Sequence, residues 1–154
     1  MLNNKYLSFT FIVLITFSAS AIGGVVTSVY KEPWYSQIIQ PFYSPPSWVF
    51  GPVWTTLYIF MSMAIWLNWV AFKEKRILII YFVHLFFNAI WSVIFFGFHE
   101  ILLAVFDLII ILIFIIWLMK IYYKNNKLSF LLMIPYLLWS SYALILNVSI
   151  FYLN

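Results

Sequence analysis

Charged residues, proline and glycine break this chain into five apolar runs, at 6–29, 49–72, 77–98, 101–121 and 128–153. Each is close to the ~20 residues that an α-helix needs to cross ~30 Å of hydrocarbon. Backbone groups in lipid must be satisfied within their own element, and the runs lack the alternation of a barrel strand. The pattern therefore predicts an all-α integral membrane protein, one domain built as a bundle of five transmembrane helices. Three connections are short: Lys73-Glu74-Lys75-Arg76, Gly97-Phe98-His99-Glu100, and Tyr123-Lys124-Asn125-Asn126-Lys127. They read as tight turns between antiparallel helices. The first connection, 30–48, is long, and long ordered loops on small proteins tend to carry function.

Charge orients the bundle. With five spans, the amino terminus and the second and fourth connections share one side, which then holds Lys5, Lys73, Lys75, Arg76, Lys120, Lys124 and Lys127. Only Lys31 of the eight basic residues lies on the other. The positive-inside rule places the amino terminus in the cytoplasm and the first loop and carboxyl terminus outside, in a multi-pass protein of the cell membrane. Ala19-Ser20-Ala21 resembles a signal-peptide cleavage site, but the apolar run continues past it to Val29, so the segment reads as a span.

Composition changes the picture in two ways. At 66% hydrophobic and 8% charged, the chain lies far outside the soluble range, and its +4 net charge belongs to topology rather than to nucleic acid. Its 23% aromatic content exceeds what interfacial belts require, so some rings line something. The absence of cysteine removes disulfides, thiolate metal sites and thiol nucleophiles.

Few side chains can carry chemistry. His84, Asn88, Trp91 and Phe95 stack along one face of the third span. Asn88 either bonds a neighbouring helix or contacts a ligand, and His84 reads as a bond to a neighbouring helix rather than as a metal ligand. No second His, Cys or carboxylate stands at ligand spacing, so no metal site is expected. Asp107 is the only acidic residue well inside a span, where a carboxylate costs about 2.5–3.5 kcal/mol on insertion scales. It reads as a structural contact or as part of a proton path. Thr16, Ser20, Gly24 and Ser28 form a small-residue stripe on the first span, for packing within the chain or for a dimer seam. In the fifth span, Pro135 loosens the helix, and Trp139 and Asn147 suit either a pocket wall or ordinary packing.

The first loop is stiffer than a simple connection requires. Pro33 followed by Trp34-Tyr35-Ser36-Gln37 reads as a short helix, and Pro41, Pro45 and Pro46 stiffen an extended path into the second span. Phe50, Trp54, Leu57, Tyr58 and Met61 are read as lining one face beneath it. Either a lidded cavity for a large flat apolar molecule results, or an interfacial belt of Trp and Tyr.

Three sets of residues resemble the TspO/MBR or translocator protein family. They are Trp34-Tyr35, Pro41, Ser44-Pro45-Pro46, Trp48, Phe50, Pro52, Trp54 and Leu57-Tyr58; Asn88, Trp91-Ser92 and Phe95-Phe96-Gly97; and Pro135-Tyr136, Trp139, Ala143 and Leu146-Asn147. The resemblance covers nearly the whole chain. It implies a five-helix bundle, usually dimeric, whose first loop covers a pocket. The family binds porphyrins such as protoporphyrin IX, and isoquinoline carboxamide and benzodiazepine drugs. Carried over by position, Tyr35, Trp48, Phe50, Trp54, Asn88, Trp91, Trp139, Ala143 and Leu146 become ligand-binding candidates, joined by Tyr58, His84 and Phe95 from the faces described above. His84 stands where the family often has Gln, a departure that bears on pocket hydrogen bonding. Tyr152 is followed by Leu153 and Asn154 rather than by a basic residue, so the animal sterol motif is not matched.

The leading expectation is a bacterial membrane receptor or carrier for porphyrins, with a sensory, stress-linked role and no required cofactor. The alternatives are light- and oxygen-dependent porphyrin breakdown using Trp54 and Trp139, and a small proton-coupled transporter using Asp107 and His84. Expected partners are the lipid bilayer and a second copy in a homodimer.

Overall fold

The computed structural model describes residues 4–154. Five helices are long and apolar enough to cross a membrane: α1 (Lys5–Tyr30), α3 (Ser47–Phe72), α4 (Lys75–Ser92, prolonged by a π-turn at Val93–Gly97), α5 (Ile101–Asn125) and α6 (Lys127–Leu153). A one-turn helix, α2 (Trp34–Gln37), interrupts the first loop. The described residues contain no strand.

Local chemistry fixes the helix ends. The Asn4 side chain caps α1 by accepting from the Tyr6 and Leu7 amides at 2.9 and 3.3 Å, and Asn126 caps α6 through the Leu128 and Ser129 amides at 3.0 and 3.2 Å. Because Asn126 does this alone, the turn expected over 123–127 shrinks to one residue, and α5 runs four residues beyond the expected 121. Lys73 ends α3 in the left-handed conformation, φ 52°, and its amide bonds the Trp69 carbonyl at 2.9 Å.

The helices close into a ring in the order α1, α3, α6, α5, α4, with α4 returning to α1. Near the α3–α4 turn the ring is filled solidly by Ile12, Met61, Ile65, Tyr81, Ile115 and Tyr136 among others. Toward the first loop the filling thins to a smaller cluster of Tyr35, Phe95, Phe96, Ala104, Leu146 and Ile150. The outer surface carries Ile22, Ile79, Phe86, Ile113 and Leu138 exposed, as hydrocarbon solvent allows.

The first loop is braced against two helix ends. Trp34 stacks on His99 at 4.4 Å and meets Phe95 edge-on at 5.2 Å. The Ile39 backbone exchanges two hydrogen bonds with the Asn154 side chain, 2.8 and 3.0 Å, and the Tyr142 hydroxyl donates to the Tyr43 carbonyl at 2.7 Å. Loop and carboxyl-terminal end of α6 thus share one end of the bundle, as the five-span reading requires.

Candidate functional site

Where the solid core stops, a cavity of about 510 Å³ opens beneath the first loop, within the usual range for small-molecule sites. Each helix contributes a strip of wall. From α3, Phe50, Trp54 and Tyr58 recur every fourth residue on one face. α4 and its π-turn supply Asn88, Trp91 and Phe95, α5 supplies Leu108 and Ile111, and α6 supplies Trp139, Ala143 and Leu146. Tyr35 closes the roof from α2, edge-on to Phe95 and Phe96 at 6.3 and 5.6 Å. Burial, with Glu32 and then Tyr142 adding to it, holds the Tyr35 phenol above its ordinary pKa, so it stays neutral.

Ring faces dominate these walls. Trp91 and Phe95 lie parallel, 5.1 Å apart and 10° from coplanar. Phe50 meets Trp139 edge-on at 5.9 Å, and Trp54 leans on Tyr58 at 5.7 Å. The π-turn matters to this geometry, because its widened backbone, closed by Phe98 N–H to the Val93 carbonyl at 2.9 Å, lets Phe95 and Phe96 both be buried under the loop.

The floor is polar and closed. The Tyr58 hydroxyl donates to the Asn88 side-chain carbonyl, and the Asn88 amide donates to the Tyr136 oxygen at 2.9 Å. Tyr136 in turn shares a 2.8 Å bond with His84 Nε2. A chain from α3 through α4 to α6 thereby ties three helices together under the cavity, in a setting where unmet polar groups are costly. Elsewhere in the wall, Trp91 Nε1, Trp139 Nε1 and Asn147 Oδ1 are buried with no partner among the described residues.

Ten of the twelve expected ligand-binding residues meet at this cavity: Tyr35, Phe50, Trp54, Tyr58, Asn88, Trp91, Phe95, Trp139, Ala143 and Leu146. Two do not. Trp48 is 74% exposed and outside the wall, because it lies about 120° around α3 from Trp54. His84 is fully buried one turn below Asn88, screened from the cavity by the Tyr136 bond, so it supports the floor instead of lining it. Leu57 and Met61 do not line the cavity either and pack in the core. Asp107 is buried beside the cavity without lining it, its Oδ2 unpartnered among the described residues.

Most of the stripe on α1 does not pack against another helix of the chain. Ser20, Gly24 and Ser28, with Gly23 and Thr27, form cavity wall, and only Thr16 bonds within the bundle, to the Tyr81 hydroxyl at 2.7 Å. Lys31, Glu32 and Ser47 at the rim also escaped sequence reasoning, since nothing local to the loop marks which of its polar residues turn inward.

Comparison with known proteins agrees with this arrangement. Residues 11–153 match the TspO/MBR family. The chain is 33% identical over 144 residues to the tryptophan-rich protein TspO of Archaeoglobus fulgidus, covering 92% of this chain and 94% of that protein. It is 30% identical to the tryptophan-rich sensory protein of Cereibacter sphaeroides, covering 91% and 90%, and 34% identical to the human translocator protein, covering 74% and 70%. A five-helix membrane bundle, a tryptophan-walled cavity and matches along nearly the whole length carry one conclusion: the chain belongs to the TspO/MBR family.

Proposed function

We propose that this membrane protein is a receptor or carrier that takes up a porphyrin, of the protoporphyrin IX type, in the cavity under its first loop. The observation that carries the reading is the cavity itself: about 510 Å³, with three tryptophans and three phenylalanines in its walls. A large planar macrocycle presents two apolar faces, and rings on facing helices can stack on both. Relatives named sensory and translocator proteins support a sensory or translocating role in the membrane. On the positive-inside reading the cavity lies at the external end of the bundle. Isoquinoline carboxamide and benzodiazepine-type drugs, flat and apolar, are candidate occupants of the same space.

The test is titration of the purified protein with protoporphyrin IX, read by quenching of tryptophan fluorescence. Saturable quenching is expected, weakened in Trp54→Ala and Trp139→Ala proteins that keep the helical content of the parent. A second reading rests on Trp54 and Trp139 bordering one cavity. An indole beside a photoexcited macrocycle can donate an electron, which makes light- and oxygen-dependent porphyrin breakdown the alternative. Illumination separates the two: a new absorbing product that needs light, oxygen and both indoles marks breakdown, and reversible quenching alone marks binding.

A further inference from the structure

Between α1 and α3 the cavity wall is built of small residues. These helices are fastened at two levels. Toward the solid core, Phe17 meets Tyr58 with ring centroids 6.2 Å apart, and below that Trp66 Nε1 donates to the Lys5 carbonyl at 3.0 Å. At the loop end, Lys31 Nζ donates to the Ser47 hydroxyl at 3.0 Å. Between these levels run about 21 Å of α1 and about 16 Å of α3, at ~1.5 Å rise per residue.

The residues facing that interval are small. α1 presents Gly24 and Ser28, and α3 presents Gly51 and Thr55. All four are exposed and all four border the cavity. A Cβ added at Gly24 or at Gly51 would meet nothing within 4 Å, whereas one at neighbouring Gly23 would meet Ser92 Oγ at 3.1 Å. The hydroxyls do not tie the helices together: Ser28 bonds the Val25 carbonyl, and Thr55 the Gly51 carbonyl. Each is satisfied on its own helix, as hydrocarbon surroundings demand.

Depth and flanks say what lies outside. Gly24 is about 10 Å of helix below Lys31, inside a hydrocarbon layer of ~30 Å. Val25, Val29 and Ile59 border the interval on the outside, all exposed and apolar. Behind it stands the cavity, whose wall holds Asn147, 2% exposed with an unpartnered Oδ1. We infer that the cavity is loaded sideways from the bilayer, through a window between α1 and α3 at Gly24 and Gly51, by ligands dissolved in lipid. The inference rests on reading the cavity as a ligand site.

Two measurements test it. In the first, Gly24→Leu combined with Gly51→Leu plugs the window, and stopped-flow quenching by protoporphyrin IX is followed in lipid nanodiscs. Association should slow by roughly tenfold or more, and dissociation should slow as well rather than quicken, the mark of a blocked path rather than a damaged site. Unchanged rates overturn the inference, as does faster dissociation alone. Should the paired variant not fold, Ser28→Cys with Thr55→Cys, joined by a bismaleimide in this cysteine-free chain, closes the same gap.

The second measurement needs no porphyrin. Ala143→Cys puts a single thiol on the far wall. N-phenylmaleimide dissolved in the bilayer should label it, and the leucine pair should slow that labelling. Labelling indifferent to the plug contradicts the window. Failure of the parent protein to bind porphyrin, with labelling still slowed by the plug, would overturn the proposed ligand and leave the window standing.

Discussion

The polar floor makes a quantitative prediction through a double-mutant cycle on Tyr58 and Asn88. Asn88→Leu keeps a side chain of similar bulk but removes two bonds, the one accepted from Tyr58 and the one donated to Tyr136. Interhelical hydrogen bonds within membrane bundles average ~0.6 kcal/mol and reach ~1.7, so this variant should cost about 1–3 kcal/mol. Tyr58→Phe removes only the first bond and should cost about 0.6–1.7 kcal/mol. Once Asn88 is gone, the Tyr58 hydroxyl has no acceptor left, and deleting it should cost close to nothing. The double variant is therefore expected to match Asn88→Leu alone, a coupling of about 1 kcal/mol. Reversible unfolding in mixed SDS and detergent micelles, followed by circular dichroism, measures all four proteins. Costs that add to within about 0.3 kcal/mol would refute a shared bond and with it the floor described here.

Other expectations follow from position. His84→Leu should lower stability by about 0.6–1.7 kcal/mol through loss of its bond to Tyr136 while changing porphyrin affinity less than about twofold, since it stands behind the floor. Trp48→Ala should leave affinity unchanged in the same titration, whereas Trp54→Ala or Trp139→Ala should lose about 1–3 kcal/mol of stacking, roughly 5- to 150-fold in Kd. Gly24→Ala should raise the melting temperature, helped by a helix-propensity gain of up to about 1 kcal/mol, while Gly23→Ala gains less or loses, because its Cβ crowds Ser92. Asp107→Asn should leave porphyrin affinity untouched, and a measured loss of affinity would place the carboxylate in the site.

The spans were legible because lipid imposes one length and one composition on any helix that crosses it, so runs such as 101–121 stand out without reference to neighbours. Their ends were less so. Tyr122 is fully buried and extends α5 past Lys120, since a long basic side chain can reach the interface from inside a helix. The widened turn at Val93–Gly97 has no signal in its own residues, because the extra backbone residue is selected by how Phe95 and Phe96 pack beneath the loop. Helical spacing alone could have removed Trp48 from the face shared by Phe50, Trp54 and Tyr58, but it leaves Leu57 and Met61 there, and only the depth at which the core closes takes them out of the cavity wall. His84 was harder: it shares the face of Asn88 and Trp91, and only Tyr136, arriving from α6, separates it from the cavity. The α1 stripe was visible as small residues, but whether they meet a helix, a second copy or open space depends on how far α3 stands away.

Ligand occupancy of the cavity is tested most directly by titrating protoporphyrin IX into nanodisc-held protein and into Ala143→Phe, which adds a ring to the α6 wall at the level of Trp139. Saturable quenching at about one porphyrin per chain, with a micromolar or tighter Kd in the parent and a loss of at least about tenfold in the filled variant, is the predicted result. No saturable quenching by the parent, or the same saturation curve in both proteins, would contradict it.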